Sequence, residues 1–423
     1  MKLLLISPYH TGSHKAWAEG YTRNSQHEVR LLTLPGRFWK WRLQGGAVAL
    51  ARLLGEGDFV PEAVLATSML DVATWLGLVR GRVSPHIPVF LYMHENQLTY
   101  PLPEDGATGP MRRQLGERDR HYALINYKSM LVANQVFFNS HYHRESFFAA
   151  LPNLLKHFPD YNELETIPSL VARSQVLPVG IDLRRFDRVN DEQSIGGSQL
   201  LAVSSGTEPG EEVIPTTQPT SQPLSPPLIL WNQRWEYDKN PPAFFRVLYR
   251  LMDAGLDFTV ALCGENFRLK PQEFDMAIAR LGKRVIHAGY ADEATYKRLL
   301  WAATVTVSTA HHEFFGISIL EALYCHTFPV LPYRLSYPEL IPEVYHLRCL
   351  YENDSGLEQR LRWAILHPTE ARQIGRELAR IAAAYDWSIV TSQYDRAISQ
   401  QTEALWEFRG LTPDVRAGLV PAQ

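Results

Sequence analysis

Short apolar runs recur along this chain, and several of them are separated by segments with a helical period. Strand-like runs fall at 2–6, 29–32, 63–66, 89–93, 135–138 and 175–177, and then at 228–231, 258–263, 284–287, 304–307 and 327–331. Strands that alternate with helices are typical of a parallel α/β sheet. The pattern therefore predicts an α/β protein with two Rossmann-like, doubly wound domains.

The stretch from 190 to 227 breaks this pattern, because Pro, Ser, Thr, Gln, Gly and Glu dominate and no apolar period survives. Such a composition is typical of a flexible linker or insertion. We expect a first domain at 1–187, the linker at 188–227, a second domain at 228–385, a long C-terminal helix at 386–409 that packs back toward the first domain, and a tail at 410–423. Two facing domains leave a cleft, where ligands prefer to bind.

Composition narrows the class of protein. The chain has 423 residues, 45% of them hydrophobic and 21% charged, as expected for a soluble protein with two cores. The first apolar run is too short for a signal peptide, and no run approaches membrane-spanning length, so we expect a cytoplasmic protein without a membrane partner. Cys263, Cys325 and Cys349 are far apart, which predicts reduced, structural thiols.

The segment HEFFGISILEAL at 312–323 places two carboxylates, Glu313 and Glu321, on either side of a turn that contains Gly316. The turn follows a predicted strand and opens a predicted helix, which is where α/β sheets bind ligands. Gly316 lets the backbone approach a phosphate, and the first N–H groups of the helix favour a diphosphate. Glu321, expected in the first helical turn, suits a ribose diol, and Glu313 suits sugar hydroxyls. An N-capped helix with a surface glutamate is the alternative interpretation.

A second charged element, WNQRWEYDKN at 231–240, follows the first strand of the second domain. Its cations Arg234 and Lys239 suit a departing diphosphate, although each alone also fits a solvated surface charge. The chain contains no Asp-x-Asp, so we expect no metal ion and no cofactor. It also lacks a P-loop and a Gly-x-Gly-x2-Gly loop, which argues against a P-loop enzyme and a dinucleotide oxidoreductase.

Polar residues also follow strands of the first domain. Candidates for the cleft are His94, Glu95, Asn96, Gln97, the loop residues Gly12, Ser13, His14 and Lys15, and Asn139 with Ser140. We expect backbone N–H groups at Gly12 and Ser13 to face the donor, and His94 to hydrogen-bond the transferred sugar or the acceptor. The alternatives are a structural histidine and, for Ser140, a helix N-cap.

Basic and aromatic residues are interleaved in GRFWKWR at 36–42, and a basic cluster follows later. The residues concerned are Arg37, Trp39, Lys40, Trp41, Arg42, Arg112, Arg113, Arg118 and Arg120. Aromatic rings beside cations stack bases and hold phosphates. A net charge of −3 provides no global attraction to RNA, so any RNA contact must be a local patch. The alternative is an amphipathic surface segment whose tryptophans dock on the core.

These motifs resemble the family 4 retaining glycosyltransferases, which have the GT-B fold. The likeness rests on 312–323, the Arg234 and Lys239 pair, PVGIDLRRF at 178–186 and the segment at 289–305. It implies that Glu313 contacts the donor sugar, Glu321 the ribose, and Arg234 and Lys239 the diphosphate. Backbone donors would then come from Phe315, Gly316, Ile317 and Ser318. His94, Glu313, Arg234 and Lys239 become the candidate catalytic residues.

The first domain is similar to a narrower family, the tRNA-queuosine α-mannosyltransferases. PYHTGSHK at 8–15, LPGRFWKWR at 34–42, FLYMHENQLTYP at 90–101 and the segment at 118–147 carry this likeness. It implies retaining transfer of mannose from GDP-mannose to queuosine at the wobble position of tRNA(Asp), with the basic and aromatic residues on the anticodon arm. The Pro- and Ser-rich insertion departs from the family pattern.

Two other functions remain open at this point. One is a GT-B glycosyltransferase whose acceptor is a lipid, a polysaccharide or a small metabolite. The other is an RNA-binding or scaffolding protein that has kept the fold without transfer, although the intact set of Glu313, Glu321, Arg234 and Lys239 argues against it. The sequence leaves the oligomeric state open.

Overall fold

The computed structural model describes residues 1–55, 59–100, 110–188, 226–264 and 272–410, with side chains from residue 120 onward in the third of these ranges. The predicted linker lies outside the described residues from 189 to 225, and the predicted tail lies outside them after Gly410.

The first sheet has six parallel strands in the order β2-β1-β3-β4-β5-β6. They are β1 (Lys2–His10), β2 (Glu28–Pro35), β3 (Ala63–Thr67), β4 (Val89–Met93), β5 (Gln135–Phe138) and β6 (Ser174–Val176). Every residue of β3, β4 and β5 is buried, because helices cover both faces of the sheet. The strand order reverses between β1 and β3, so the carboxyl ends of these strands open a crevice.

The second sheet repeats this design with six parallel strands in the order β12-β11-β10-β7-β8-β9. They are β7 (Leu228–Asn232), β8 (Thr259–Cys263), β9 (Val285–Gly289), β10 (Val305–Val307), β11 (Phe328–Pro332) and β12 (Leu350–Tyr351). Its order reverses between β7 and β10. The predicted class, two doubly wound α/β domains, is confirmed.

Helices connect the strands in both domains. In the first domain they are α1 (Gly12–Asn24), α2 (Trp39–Leu53), α3 (Val72–Val79), α4 (Pro110–Val132), α5 (His141–Leu155) and α6 (Ile167–Ala172). In the second they are α7 (Pro241–Asp253), α8 (Gln272–Leu281), α9 (Glu293–Ala302), α10 (Ile317–Tyr324), α11 (Tyr337–Leu340), α12 (Glu343–Cys349), α13 (Asp354–Leu366), α14 (Pro368–Ala382) and α15 (Trp387–Phe408).

The last helix, α15, crosses back onto the first domain. Its Tyr394 hydroxyl accepts a hydrogen bond from Trp17 Nε1 at 3.1 Å and donates one to the Pro178 carbonyl at 2.8 Å. The Trp387 ring is seated so closely that a Cβ on Gly20 or Gly180 would lie within 2.0 or 2.3 Å of it. Only glycine leaves room there, and the helix therefore docks at one defined place.

Three local expectations need correction or comment. The residues Gly12 to Lys15, which we expected in a loop, form the first turn of α1, because β1 continues to His10, which pairs with Pro35 after a register shift. Glu321 is the fifth residue of α10, one position beyond the first turn in which we expected it. The three cysteines are free and buried, as predicted. Among the described residues, no helix is both long and apolar enough to cross a membrane.

Candidate active site

The turn between β10 and α10 has the backbone geometry that the sequence suggested. Gly316 has φ +104°, a conformation that side chains disfavour, and a Cβ there would lie 3.0 Å from Leu340 Cδ1. The helix starts at Ile317, so the first N–H groups of α10, including that of Ser318, have no partner within the helix. The turn therefore presents backbone donors beside Phe315, as an anion site requires.

Glu313, which is half-buried, and the buried Lys239 form an ion pair across this turn. Lys239 Nζ lies 3.2 Å from Glu313 Oε2 and donates to the His312 carbonyl at 2.8 Å, while the Phe315 N–H donates to Glu313 Oε1 at 3.3 Å. Burial opposes the charge on Glu313, but the ammonium of Lys239 and the Phe315 N–H hold the pKa of its carboxyl below the ordinary value. Glu313 is therefore an ionised acceptor near neutral pH.

Arg234 lies beside this pair and shares a carboxylate with it. Asp238 Oδ2 is 3.9 Å from Arg234 Nη2 and 3.4 Å from Lys239 Nζ, and Glu236 Oε2 is 3.2 Å from Arg234 Nη1. The 3-10 helix Tyr237–Lys239 supplies Asp238 and Lys239 directly after the turn that carries Arg234. The structure thus brings the two predicted diphosphate cations to one carboxylate.

Glu321 is only 6% exposed and lies below the same turn. Arg185 Nη2 lies 2.6 Å from its Oε1, and the Tyr296 hydroxyl donates to its Oε2 at 2.8 Å. Burial raises the pKa of this carboxyl, and Arg185 and Tyr296 oppose that rise. Asn232 in turn donates to the Tyr296 hydroxyl at 3.1 Å. Glu321 is therefore held from two sides by residues distant in sequence.

On the first domain, His94 lies in a cage of aromatic rings. It stacks on His14 with ring centroids 4.5 Å apart and meets Trp17 and Tyr92 edge-on at 4.6 and 4.7 Å. Burial and the neighbouring His14 hold the pKa of His94 well below its ordinary value, so the ring is neutral. Neither ring nitrogen has a hydrogen-bond partner in the part of the chain that the structure describes. A neutral imidazole with free nitrogens suits a hydroxyl-bearing ligand.

The polar residues after β4 hold one another in place. Asn96 Oδ1 accepts from the Thr99 N–H at 2.8 Å, and Gln97 Nε2 donates to Glu95 Oε1 at 3.1 Å. Asn139 Nδ2 donates to the His94 carbonyl at 2.9 Å, which fixes the start of this loop. The predicted cluster of His94, Glu95, Asn96 and Gln97 is thus one connected loop.

Tyr100, at the end of that loop, reaches the second domain. Its ring lies 4.4 Å from the His312 ring, and its hydroxyl faces the Arg234 guanidinium. Burial raises the pKa of Glu95, and the charge of Arg234 opposes that rise, so Glu95 also faces this cation. The two sets of predicted site residues therefore meet across the cleft.

A second interdomain contact surrounds the start of α5. Ser140 caps the helix by accepting from the His143 N–H at 3.0 Å, as its N-cap interpretation predicted, and its hydroxyl donates to the Phe314 carbonyl at 2.6 Å. Glu339 of the second domain accepts from the His141 and Tyr142 N–H groups at 2.8 and 2.5 Å. A cavity of about 440 Å³ lies between the domains beside these residues. The turn between β10 and α10 is thus held directly by the first domain.

The basic and aromatic segment divides into an inward and an outward side. Trp39 packs on Tyr122 with ring centroids 5.3 Å apart, while the Trp41 side chain is 63% exposed. Lys40 Nζ lies 5.4 Å from both the Trp39 and Tyr122 rings. Trp39 therefore docks on the core, as the alternative interpretation expected, whereas Trp41 is exposed and its contact with RNA stays a prediction.

The remaining predicted site residues lie at or near the surface, or outside the described side chains. Arg37 and Arg120 are exposed, and Arg42 Nε donates to the Pro35 carbonyl at 3.1 Å. Gly12 and Ser13 are exposed at the start of α1. Lys15 is exposed on the same helix, and its Nζ lies 3.8 Å from Glu19 Oε1. The side chains of Arg112, Arg113 and Arg118 lie outside the described residues, although α4 includes their positions.

Sequence reasoning missed several residues of the site: Tyr100, Arg185, Asp238, Tyr296, His312 and Glu339. Tyr100 and Arg185 belong to motifs that already carried the family likeness, and Asp238 stands between the two predicted cations. Tyr296 lies in the segment 289–305, which carried the likeness too, whereas Glu339 had no local signal, because it acts on a partner in a separate element of the chain.

The chain matches two sequence families, one for each domain. Residues 2–181 match the family described as tRNA-queuosine alpha-mannosyltransferase N-terminal, and residues 216–378 match glycosyl transferases group 1. A curated relative named tRNA-queuosine alpha-mannosyltransferase, from Drosophila melanogaster, is 29% identical over 363 residues, which is 85% of this chain and 85% of the relative.

Solved structures extend the likeness of the fold to nearly the whole chain. Sucrose-phosphate synthase from Thermosynechococcus elongatus superposes with a TM-score of 0.65 at 15% identity, covering 96% of this chain and 100% of that one. The catalytic domain of starch synthase IV from Arabidopsis thaliana, bound to ADP and acarbose, gives a TM-score of 0.67 at 12% identity, covering 95% and 99%. The fold is GT-B, as the family likeness implied.

Proposed function

Because this chain belongs to the glycosyltransferases and joins a tRNA-queuosine alpha-mannosyltransferase N-terminal domain to a group 1 glycosyl transferase domain, we propose that it mannosylates queuosine in tRNA. The donor is GDP-mannose, the acceptor is the wobble nucleoside of tRNA(Asp), and the sugar is transferred with retention. The reaction takes place in the cytoplasm, where this tRNA works.

The observation that carries the proposal is the meeting of the two domains at Arg234. The loop that ends at Tyr100 belongs to the domain with the queuosine family match, and it reaches the second-domain residues Arg234 and His312. An acceptor held by the first domain would therefore lie next to a donor held by the second. Such closeness is what transfer requires, since reacting groups must approach to about 3–3.5 Å.

The charges in the cleft suit a departing diphosphate. In our proposal Arg234 and Lys239 neutralise the charge that develops on GDP, while Glu313 accepts hydrogen bonds from mannose hydroxyls. His94, whose ring nitrogens have no partner among the described residues, contacts the sugar or the attacking hydroxyl. That hydroxyl attacks the face from which GDP leaves, and its proton passes to the departing phosphate. No divalent ion takes part.

The acceptor assignment is tested with labelled GDP-mannose and two tRNA preparations, one from cells that make queuosine and one from cells that do not. Label should enter only the first preparation, and nuclease digestion should release it with the wobble nucleoside of tRNA(Asp). Equal labelling of both preparations would refute the assignment. A companion reaction with UDP-glucose should give no product, which separates the choice of donor from the choice of acceptor.

A further inference from the structure

Arg185 occupies a position that the proposed reaction does not yet use. It lies in the 3-10 helix Arg184–Phe186, on the segment that leads out of the first domain. The second domain anchors this segment: Trp301 Nε1 donates to the Phe186 carbonyl at 2.8 Å, and Lys297 Nζ donates to the Arg185 carbonyl at 3.3 Å. The guanidinium of Arg185 therefore reaches Glu321 from a fixed backbone.

The contacts of Glu321 leave a defined number of acceptor positions. An ionised carboxylate offers about four lone-pair positions, two on each oxygen. Arg185 occupies one on Oε1, and Tyr296 occupies one on Oε2. One position stays available on each oxygen, which is the arrangement that a vicinal diol can fill with two hydrogen bonds. A protonated carboxyl would lose an acceptor position and could not bind the diol in this way.

Among the described residues, Arg185 is the cation paired with Glu321. The other groups that face this carboxyl are the neutral hydroxyl of Tyr296, from α9, and the neutral thiol of Cys325, next to α10. Burial favours the protonated carboxyl, and Arg185 opposes it. Without the guanidinium, Glu321 would lose both its orientation and its counter-charge.

We propose that Arg185 is a positioning residue for the nucleotide: through its 2.6 Å contact it holds the Glu321 carboxylate so that the carboxylate accepts both hydroxyls of the donor ribose. The inference rests on the proposed function, because it requires that a nucleoside diphosphate binds at this turn. It assigns Arg185 a role in recognising the ribose rather than the phosphates or the sugar.

The test compares the binding of GDP and 2′,3′-dideoxy-GDP by calorimetry. The wild-type chain should bind GDP about tenfold more tightly than the dideoxy compound, because hydrogen bonds to a charged group are strong. In Arg185→Gln this ratio should fall to near one through weaker binding of GDP alone, and Arg185→Lys should restore part of it. The matched control is Arg184→Gln, because Arg184 is an exposed neighbour that pairs with Asp386 instead.

The pH dependence of the same ratio provides a second readout. Loss of Arg185 raises the pKa of Glu321 further, so the ratio of the Gln variant should recover as the pH increases. The phosphates titrate alike in both ligands and cancel in the ratio. In the transfer assay, the variant should increase KM for GDP-mannose and leave kcat nearly unchanged.

Three results would overturn the inference. If Arg185→Gln preferred GDP over 2′,3′-dideoxy-GDP as strongly as the wild-type chain does, Arg185 would not act on the ribose. An equal loss of affinity for both ligands would show a structural role or a phosphate contact. A wild-type chain that binds both ligands equally well would show that Glu321 does not hold the diol. If the wild-type chain binds no GDP at all, the proposed donor is wrong as well, which distinguishes the two failures.

Discussion

The two walls of the cleft are built differently. On the second-domain wall, Glu313, Lys239 and Arg234 are charged groups already paired with one another or with Asp238. On the first-domain wall, His94 is a neutral ring among other rings, and its nitrogens have no partner among the residues that the structure describes. A wall of paired charges suits a diphosphate, whose charges replace those of the carboxylates. A neutral aromatic wall suits hydroxyls. In the proposed reaction, this difference would divide the work: the charged wall would neutralise the leaving diphosphate, and the neutral wall would orient the acceptor.

Replacing Glu313 by Ala should have the largest effect on catalysis. The change removes the acceptor that we assign to the donor sugar and leaves Lys239 without its closest carboxylate. We expect transfer to fall by at least about a hundredfold, the scale seen when one preorganised polar group is lost, while tRNA binding stays unchanged. Initial rates and filter binding measure the two quantities. If tRNA affinity collapsed instead, the donor would have been assigned to the wrong wall.

Acid should destabilise both walls through their neutral histidines. Burial, with His10 as a lesser cause, lowers the pKa of His14 to about 4, and burial with Lys239 lowers that of His312 to about 4. The unfolded chain binds protons at these residues from about pH 6.5 downward, whereas the folded chain does not. Each histidine should therefore lower the free energy of unfolding by about 1.4 kcal/mol per pH unit as the pH falls from 6.5 to 4.

Urea titrations at pH 7 and pH 5 measure this loss. The double variant His14→Gln with His312→Gln should reduce the dependence, while His94 keeps contributing to it, and each single variant should give about half of the reduction seen in the double variant. An unchanged slope in the double variant would contradict the prediction. Unequal contributions from the two residues would show which wall takes up protons first.

Trp41, an exposed aromatic residue of the first domain, should affect RNA binding alone. Trp41→Ala should weaken tRNA binding by roughly tenfold, since stacking of a base on an aromatic ring contributes about 1–3 kcal/mol, and it should leave the melting temperature unchanged. Trp39→Ala is the matched comparison: because Trp39 packs on Tyr122, its loss should lower the melting temperature. Equal effects of both variants on stability would contradict this division.

Chelation should have the smallest effect. We propose that Arg234 and Lys239 provide the positive charge that a divalent ion would otherwise bring, so EDTA should leave the initial rate of transfer within error of the untreated rate. Full activity that returns only on addition of Mg²⁺ or Mn²⁺ would contradict the proposal. The same assay on Arg234→Lys tests whether a second point charge suffices, since lysine lacks the planar fork that binds phosphate in a bidentate manner.

Most of the fold was accessible from the sequence because buried strands consist of continuous apolar runs. Val89–Met93 and Leu228–Asn232 are buried along their whole lengths, and their patterns had identified both strands. The ends of the strands were harder to predict from the sequence. β1 extends to His10 because His10 pairs with Pro35, and no residue of β1 indicates that partner.

The turn between β10 and α10 was also readable in advance, because Gly316, Glu313 and the start of α10 lie within a few residues of one another. Local chemistry of this kind needs no tertiary information. The pairing of Glu321 with Arg185, 136 residues away, and the contact of Tyr100 with His312 needed the fold. Such contacts depend on the path of the whole backbone and not on spacing along the chain. The sequence therefore determined the strands, the turn and the kinds of groups available, and the tertiary structure decided which of those groups face each other across the cleft.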